Sequence, residues 1–278
     1  MLKNILLLQH QKPMLKTIGN IVVKTLRKQD IKIPKIDNIT LDFTVTPHQK
    51  IVESFHRWLG VSKKYSNSIA PHLYPQWAIP ELFKLGEDYS LPLHKVLNQG
   101  CRIKVNGSLP LGSNLVGKVQ LLDILDLEGK YRINQKIWTG PKENPAAIEA
   151  EINAVILKDN KKSFSKAKKN IEHHFSPKTL LSRIYISEND AKNYGLISGD
   201  VNPIHMSKYL AKIFGLKTSL MHGFGLSSIL FEEIEKHALI IKELEIKFLN
   251  PVYLNNYIKV YLEPDSVQSG QYSIKVCD

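Results

Sequence analysis

Cysteine is nearly absent from this chain: 278 residues carry two, Cys101 and Cys277. They lie far apart and outside any CxxC spacing, which argues against a disulfide framework and a cysteine zinc site and suits a reducing compartment. Long apolar runs are lacking too. The opening MLKNILLLQHQKP breaks at Gln9 and His10, without the apolar length or small-residue cleavage site of a signal peptide. No segment approaches the roughly 20 apolar residues of a membrane span, so a cytoplasmic protein with no transmembrane segment is expected. Acidic residues are the third scarcity. Against 38 Lys and Arg stand 26 Asp and Glu, a net charge of +12 that favours anionic partners. Zinc-finger spacing, RNP-like strings and heptads are missing, so nucleic acid is not expected as the partner.

What is present is ordinary globular material. At 43% hydrophobic the chain can build one large domain or two of roughly 100–150 residues. The basic run KDNKKSFSKAKK (158–169) reads as a solvated linker and divides the sequence into two parts of similar order. In the first, Thr46-Pro47-His48-Gln49 reads as a helix start, with Thr46 as cap and Gln49 closing a capping box. That helix runs through VESFHRWLG to Gly60. WAIPELFKLG (77–86) reads as a helix interrupted by Pro80. Strands follow at 101–105, 115–125, 130–138 and 146–157, the last assigned by its alternation despite helical propensity.

The second part repeats this order. Ser187-Glu188-Asn189-Asp190 starts a helix that Gly199 stops near Ser198. Another helix is expected from Pro203 to about Phe214, closed by Gly215, and a longer one through LSSILFEEIEKHA (226–238). Strands are expected at 242–249, 256–263 and 271–277. CRIKVNGSLPLGSNLVGKV (101–119) also resembles LEIKFLNPVYLNNYIKV (244–260). Together these points suggest one α+β unit present twice, a curved antiparallel sheet wrapped around one helix.

Two short stretches carry chemistry. In Asp200-Val201-Asn202-Pro203-Ile204-His205, Asn202 suits a helix cap and Pro203 the first helical position. Capping alone would account for Asp200 and Asn202, but not for His205. A helix start disfavours imidazolium, so His205 should stay neutral and able to take a proton. A carboxylate beside a neutral imidazole is an acid/base pair for one water. In LMHGFG (220–225), glycine ahead of an apolar helix either makes a plain turn or leaves backbone N–H groups open to a carbonyl oxygen gaining negative charge.

Tyr194, Ser198-Gly199-Asp200, Asn202-Pro203-Ile204-His205 and Ala211, followed by His222-Gly223, closely resemble the hydratase 2 motif of MaoC-like dehydratases, the (R)-specific enoyl-CoA hydratases of hot-dog fold. The resemblance covers about 180–278. The first half is similar to the degenerate hot-dog repeat of two-domain members and lacks the motif. The resemblance implies two tandem hot-dog domains, with an N-terminal extension (1–40), a degenerate domain offering an acyl-chain groove (41–158), a basic linker (159–176) and a catalytic domain (177–278). It implies Asp200 and His205 as catalytic residues, Asn202 as their support and the Gly223 N–H as the oxyanion donor, with His222 and Ser198 as substrate-binding candidates. No metal or other cofactor is implied. The substrate would be a thioester of CoA or acyl carrier protein, hydrated as a trans-2-enoyl chain or dehydrated as an (R)-3-hydroxyacyl chain in fatty-acid metabolism. A pseudo-dimer within one chain is implied, with a homodimer left open. Met206-Ser207-Lys208 departs from members that carry Asp shortly after the motif histidine. In the first half, the proline-broken PHLYPQWAIPELF (71–83) could leave a gap for the acyl chain. The competing readings are a hot-dog thioesterase, an acyl-thioester-binding subunit without turnover and, more remotely, a basic nucleic-acid binder.

Overall fold

The computed structural model describes residues 6–26, 39–87, 96–158, 179–213, 215–264 and 272–277, so the basic linker lies outside the described residues. A 3₁₀ turn (Leu6–His10) and helix α1 (Lys12–Leu26) come first. Then follow β1 (Ile39–Val45), α2 (Gln49–Leu59), β2 (Ser68–Ile69), a 3₁₀ turn (Pro71–Leu73), α3 (Pro75–Glu87), β3 (Val96–Val105), β4 (Leu109–Pro110), β5 (Leu115–Leu127), β6 (Lys130–Pro141) and β7 (Ile148–Leu157). The second half holds β8 (Thr179–Ile186), α4 (Glu188–Ser198), α5 (Pro203–Met206), α6 (Lys208–Ile213), α7 (Gly223–Glu235), β9 (Glu243–Lys247), β10 (Asn256–Pro264) and β11 (Tyr272–Cys277). Strands β1 and β8 were not foreseen. In β1 the strict alternation of ITLDFTV is itself the mark of a half-buried strand and was legible, whereas TLLSRIYI of β8 alternates irregularly.

The antiparallel sheet order β1-β5-β6-β7-β3-β9 joins the halves. β3 pairs β9 with Cys101 opposite Ile246, Arg102 opposite Glu245 and Ile103 opposite Leu244. These are the two strands whose sequences resemble one another. Aligning CRIKV with LEIKF makes Cys101 equivalent to Leu244 and Ile103 to Ile246, so exchanging the strands reproduces the register. The seam is an internal two-fold axis through Arg102 and Glu245. A second sheet, β11-β10-β8, completes the other repeat. In the first repeat β7 links β6 to β3. Among the described residues no strand takes the corresponding place between β11 and β9.

Each repeat wraps one 13-residue helix, α3 or α7. Burial of Trp77, Ala78, Leu82 and Leu85 on α3, and of Leu226, Leu230, Phe231 and Ile234 on α7, places both in one core. At roughly 1.5–3 kcal/mol per large apolar side chain, this face outweighs local faults in either helix. That explains one departure from expectation, and two others are local. α3 begins at Pro75 and runs unbroken through Pro80, the loss of one interior hydrogen bond being offset by burial on both sides. The segment is therefore continuous and its aromatics are packed. α2 is capped by His48, whose ring accepts from the Lys50 N–H, while Thr46 donates to Asn114 on another loop. The helix expected over 203–214 is split: Ser207 is extended (φ −143°, ψ 117°) and separates α5 from α6.

Candidate active site

The site is built on the end of α4. Ser187 accepts from the Asp190 N–H and Asp190 accepts from the Ser187 N–H, the expected reciprocal cap. The helix stops at Gly199, whose φ of 78° lies in the left-handed region that glycine enters without steric cost. The N-terminal extension braces this stop. Buried Gln11 donates its amide to the Ile197 carbonyl, and Met14 lies against Gly199. Helix-terminal carbonyls have no partner within the helix, so Gln11 supplies one from far away in sequence. Neither Gln11 nor Met14 carries a signal that could have pointed to this place.

Beyond Gly199 the chain turns on side-chain bonds. The Asp200 N–H donates to Ser198 Oγ at 3.2 Å, and the Asn202 N–H to Asp200 Oδ1 at 3.3 Å. Asn202 caps α5, its Oδ1 accepting from the Ile204 N–H at 3.2 Å, and its carbonyl accepts from the His205 N–H at 3.0 Å. Asn202 thus holds the turn on which His205 rides.

His205 Nδ1 lies 2.9 Å from the Leu220 carbonyl, a bond that requires the proton on Nδ1 and leaves the Nε2 lone pair free. His222 is 2% exposed, and its Nε2–H donates to the Asp200 carbonyl at 2.8 Å. The two imidazoles stack, with centroids 3.8 Å apart and an angle of 26°. Burial lowers the His205 pKa against the opposing pull of Asp200, and burial beside His205 lowers that of His222 to about 4. Both rings are neutral at pH 7. The Asp200 carboxylate, 39% exposed, brings an oxygen within 4.8 Å of a ring nitrogen of each histidine.

Such a trio could be read as a metal site. Stacked, nearly parallel rings aim their nitrogen lone pairs along parallel planes, and one nitrogen of each ring already donates to a carbonyl. A shared ion would need the lone pairs to converge at about 2.0–2.1 Å. The arrangement suits proton transfer better.

Among the remaining candidates, Ser198 and His222 are both buried, each bonded to the Asp200 backbone. Gly223 opens α7, so its N–H belongs to the set that no carbonyl of that helix takes. The Phe248 ring lies where a Gly223 side chain would stand. Two residues went unforeseen. At Gly195, a methyl group would meet Met206 Sδ at 3.0 Å and the Asp200 carbonyl at 3.1 Å. Trp58 of the first repeat lies 5.7 Å from Tyr194, which in turn lies 5.1 Å from His222. A cleft of about 200 Å³ opens beside the pair, lined by Glu188, Lys192, His205, Ser207, Lys208 and Tyr209 among others.

The overall likeness to solved structures is clear at the level of fold. HtdX of Mycobacterium tuberculosis superposes with a TM-score of 0.68 at 14% identity, over 85% of this chain and 92% of that one. A second M. tuberculosis protein, described as a double hotdog fold, does so at 0.55 and 11% identity, over 88% of each chain. The fold is the double hot-dog. Residues 163–277 match the family model described as MaoC like domain. The peroxisomal multifunctional enzyme type 2 of Drosophila melanogaster is 31% identical over 81 residues, 27% of this chain and 13% of that protein. Its full-length structure gives a TM-score of 0.59 at 17% identity, over 86% of this chain and 45% of that one. Among the described residues no helix is long and apolar enough to cross a membrane.

Proposed function

We propose that the chain hydrates trans-2-enoyl thioesters to (R)-3-hydroxyacyl thioesters, and runs the dehydration in reverse, with Asp200 and His205 as the acid/base pair. The observation that carries this reading is the tautomer of His205. Its Nδ1–H is tied to the Leu220 carbonyl, leaving Nε2 as a base beside the Asp200 carboxylate.

In this mechanism one water sits between the Asp200 carboxylate and His205 Nε2. As its oxygen bonds C3 of the enoyl chain, His205 Nε2 takes a proton and the C2=C3 electron pair moves onto the thioester oxygen. The Gly223 N–H, at the positive end of α7, holds that developing enolate. The enolate collapses as the proton is returned to C2 on the same face, so water has added syn and the pair is regenerated. Asn202 holds the turn, while Ser198 and His222 fix the Asp200 backbone; the latter two act by positioning.

The cytoplasmic location rests on the scarcity of cysteine and of long apolar runs, whereas the (R) outcome and the fatty-acid setting rest on the motif resemblance. So does the division at 40, 158 and 176, with a first-repeat groove for the acyl chain. The chemistry proposed calls for no metal or redox cofactor, and the partner is a thioester of CoA or acyl carrier protein. Incubating purified protein with crotonyl-CoA tests the reading: conjugated thioester should disappear without thiol release, and chiral analysis should return the (R) product. Thiol release would select the thioesterase reading, and mainly (S) product would remove the stereochemical assignment.

A further inference from the structure

The mouth of the cleft bears an apolar, basic surface that the hydration chemistry does not use. α6 is anchored by Ala211, fully buried, and turns Tyr209 (71% exposed) and Ile213 (77% exposed) outward, with Leu210 (41%) between them. Tyr209 and Ile213 are one turn apart and share a side, as do Lys208 and Lys212. Tyr209 and Lys208 line the same cleft as His205, so this helix stands at the entrance to the proposed reacting centre. Between Asp200 and Glu232 the chain has no acidic residue and three lysines, Lys208, Lys212 and Lys217, all exposed. The one carboxylate on the cleft, Glu188, is held by Lys192 at 3.3 Å and by the Asn255 amide at 3.2 Å.

Grouped, exposed apolar side chains rimmed by one sign of charge mark an interaction site. A free nucleotide thioester would meet the lysines but leave Ile213 in water. A small acidic protein would do both. We propose that α6 is the docking surface for an acidic carrier protein, whose acidic helix face meets Lys208, Lys212 and Lys217 and whose apolar helix residues cover Tyr209, Leu210 and Ile213. Docked there, its pantetheine arm enters the cleft and delivers the thioester to His205. This rests on the thioester reading and names the form of thioester that this face selects. Charge complementarity of this kind governs association rate and partner choice, so added salt should weaken the contact.

The test uses the full chain and the double variant Lys212→Gln/Ile213→Ser, neither position lining the cleft. Binding of a labelled bacterial holo-acyl carrier protein is followed by anisotropy at low and high salt. kcat/KM is then measured on crotonyl-carrier protein and on crotonyl-CoA. The expected result is binding weakened at least tenfold by the double variant and by salt. A similar fall in kcat/KM is expected on crotonyl-carrier protein, with less than a twofold change on crotonyl-CoA. Equal losses on both thioesters, or no loss on the carrier, would overturn the proposal. So would binding of the wild type to phosphatidylglycerol vesicles but not to the carrier. Variant-sensitive carrier binding with neither thioester hydrated would support the docking surface and remove the hydratase reading instead.

Discussion

The two repeats share a backbone and differ in what they hang on it. α2 and α4 are both 11 residues long, and both end at a left-handed glycine, Gly60 at φ 72° and Gly199 at φ 78°. After Gly199 the chain places Asp200, Asn202 and His205. After Gly60 it places Val61, Lys64 and Tyr65. Val61 is buried, while Lys64 and Tyr65 reach across to the other repeat's central helix and bind Glu232 at 2.7 and 2.8 Å. His72 donates to the same carboxylate at 2.7 Å. These three donors, with nearby basic groups, lower the Glu232 pKa to about 2 despite burial. One loop thus leaves His205 Nε2 without a protein partner beside the Asp200 carboxylate, and its counterpart saturates its polar groups to join two halves. A shared fold does not fix the chemistry; under the proposed function, the side chains after one glycine supply it.

Removing the groups that distinguish the second repeat should have the largest effect. Asp200→Asn and His205→Gln are each expected to lower turnover on crotonyl-CoA by about 10²–10⁴-fold, the usual worth of a positioned acid or base. Circular dichroism and unfolding midpoints should stay close to wild type. Near-wild-type hydration by either variant would end the proposed mechanism.

Breaking the first repeat's counterpart should do the reverse. Glu232→Leu removes the acceptor for Lys64, Tyr65 and His72, the last of them buried, and should cost about 3 kcal/mol of stability in urea unfolding. Turnover by the folded fraction should change only a few-fold. A large loss of turnover with unchanged stability would mean that this network serves the site.

Acidity separates the repeats further. His222 has a folded pKa of about 4 against an ordinary 6.5, so the unfolded chain binds a proton in that window and the folded chain does not. Stability is complete above pH 6.5 and falls as pH drops towards 4, by about 3 kcal/mol from this group at 1.36 kcal/mol per pKa unit. Glu232 is depressed to about 2, so its contribution is present above its ordinary 4.5 and is lost as pH falls from there towards 2. His222→Gln should flatten the upper window and Glu232→Leu the lower one in urea midpoints across pH 7 to 3.

The matched glycines give the finest comparison. A methyl group at Gly60 meets nothing within 4 Å, so Gly60→Ala should cost only the left-handed strain, about 1 kcal/mol. At Gly199 it would meet Met14 at 3.0 Å and Gln11 at 3.2 Å. Gly199→Ala should therefore cost more stability and also lower kcat, because Asp200 follows directly. Equal costs at the two sites would show that the N-terminal brace is loose.

Much of this was legible in order along the chain. The cap at Ser187, the stop at Gly199, the cap at Asn202 and the strands at 115–127 and 130–141 each follow from local chemistry over a few residues. The strand at 148–157 was legible too, because its alternation matches a half-buried sheet. One failure falls where distant contacts override a local rule, and another where a local side-chain cap does. Pro80 sits inside a helix because buried neighbours hold it there, and Ser207 breaks a helix that composition would extend.

The sequence alone determined which residues could do chemistry, because the Asp-x-Asn-Pro-x-His spacing packs a carboxylate, a cap and an imidazole into one turn. It also determined that the unit occurs twice, since strand and helix periods repeat. Only the tertiary structure decided how these groups act. The Leu220 carbonyl selects the His205 tautomer, and the Asp200 carbonyl and the His205 ring hold His222 in place. Gln11, nearly two hundred residues away, closes the helix that presents Asp200. A tautomer and a buried pKa are set by what approaches through space, and chain periodicity carries no record of that approach.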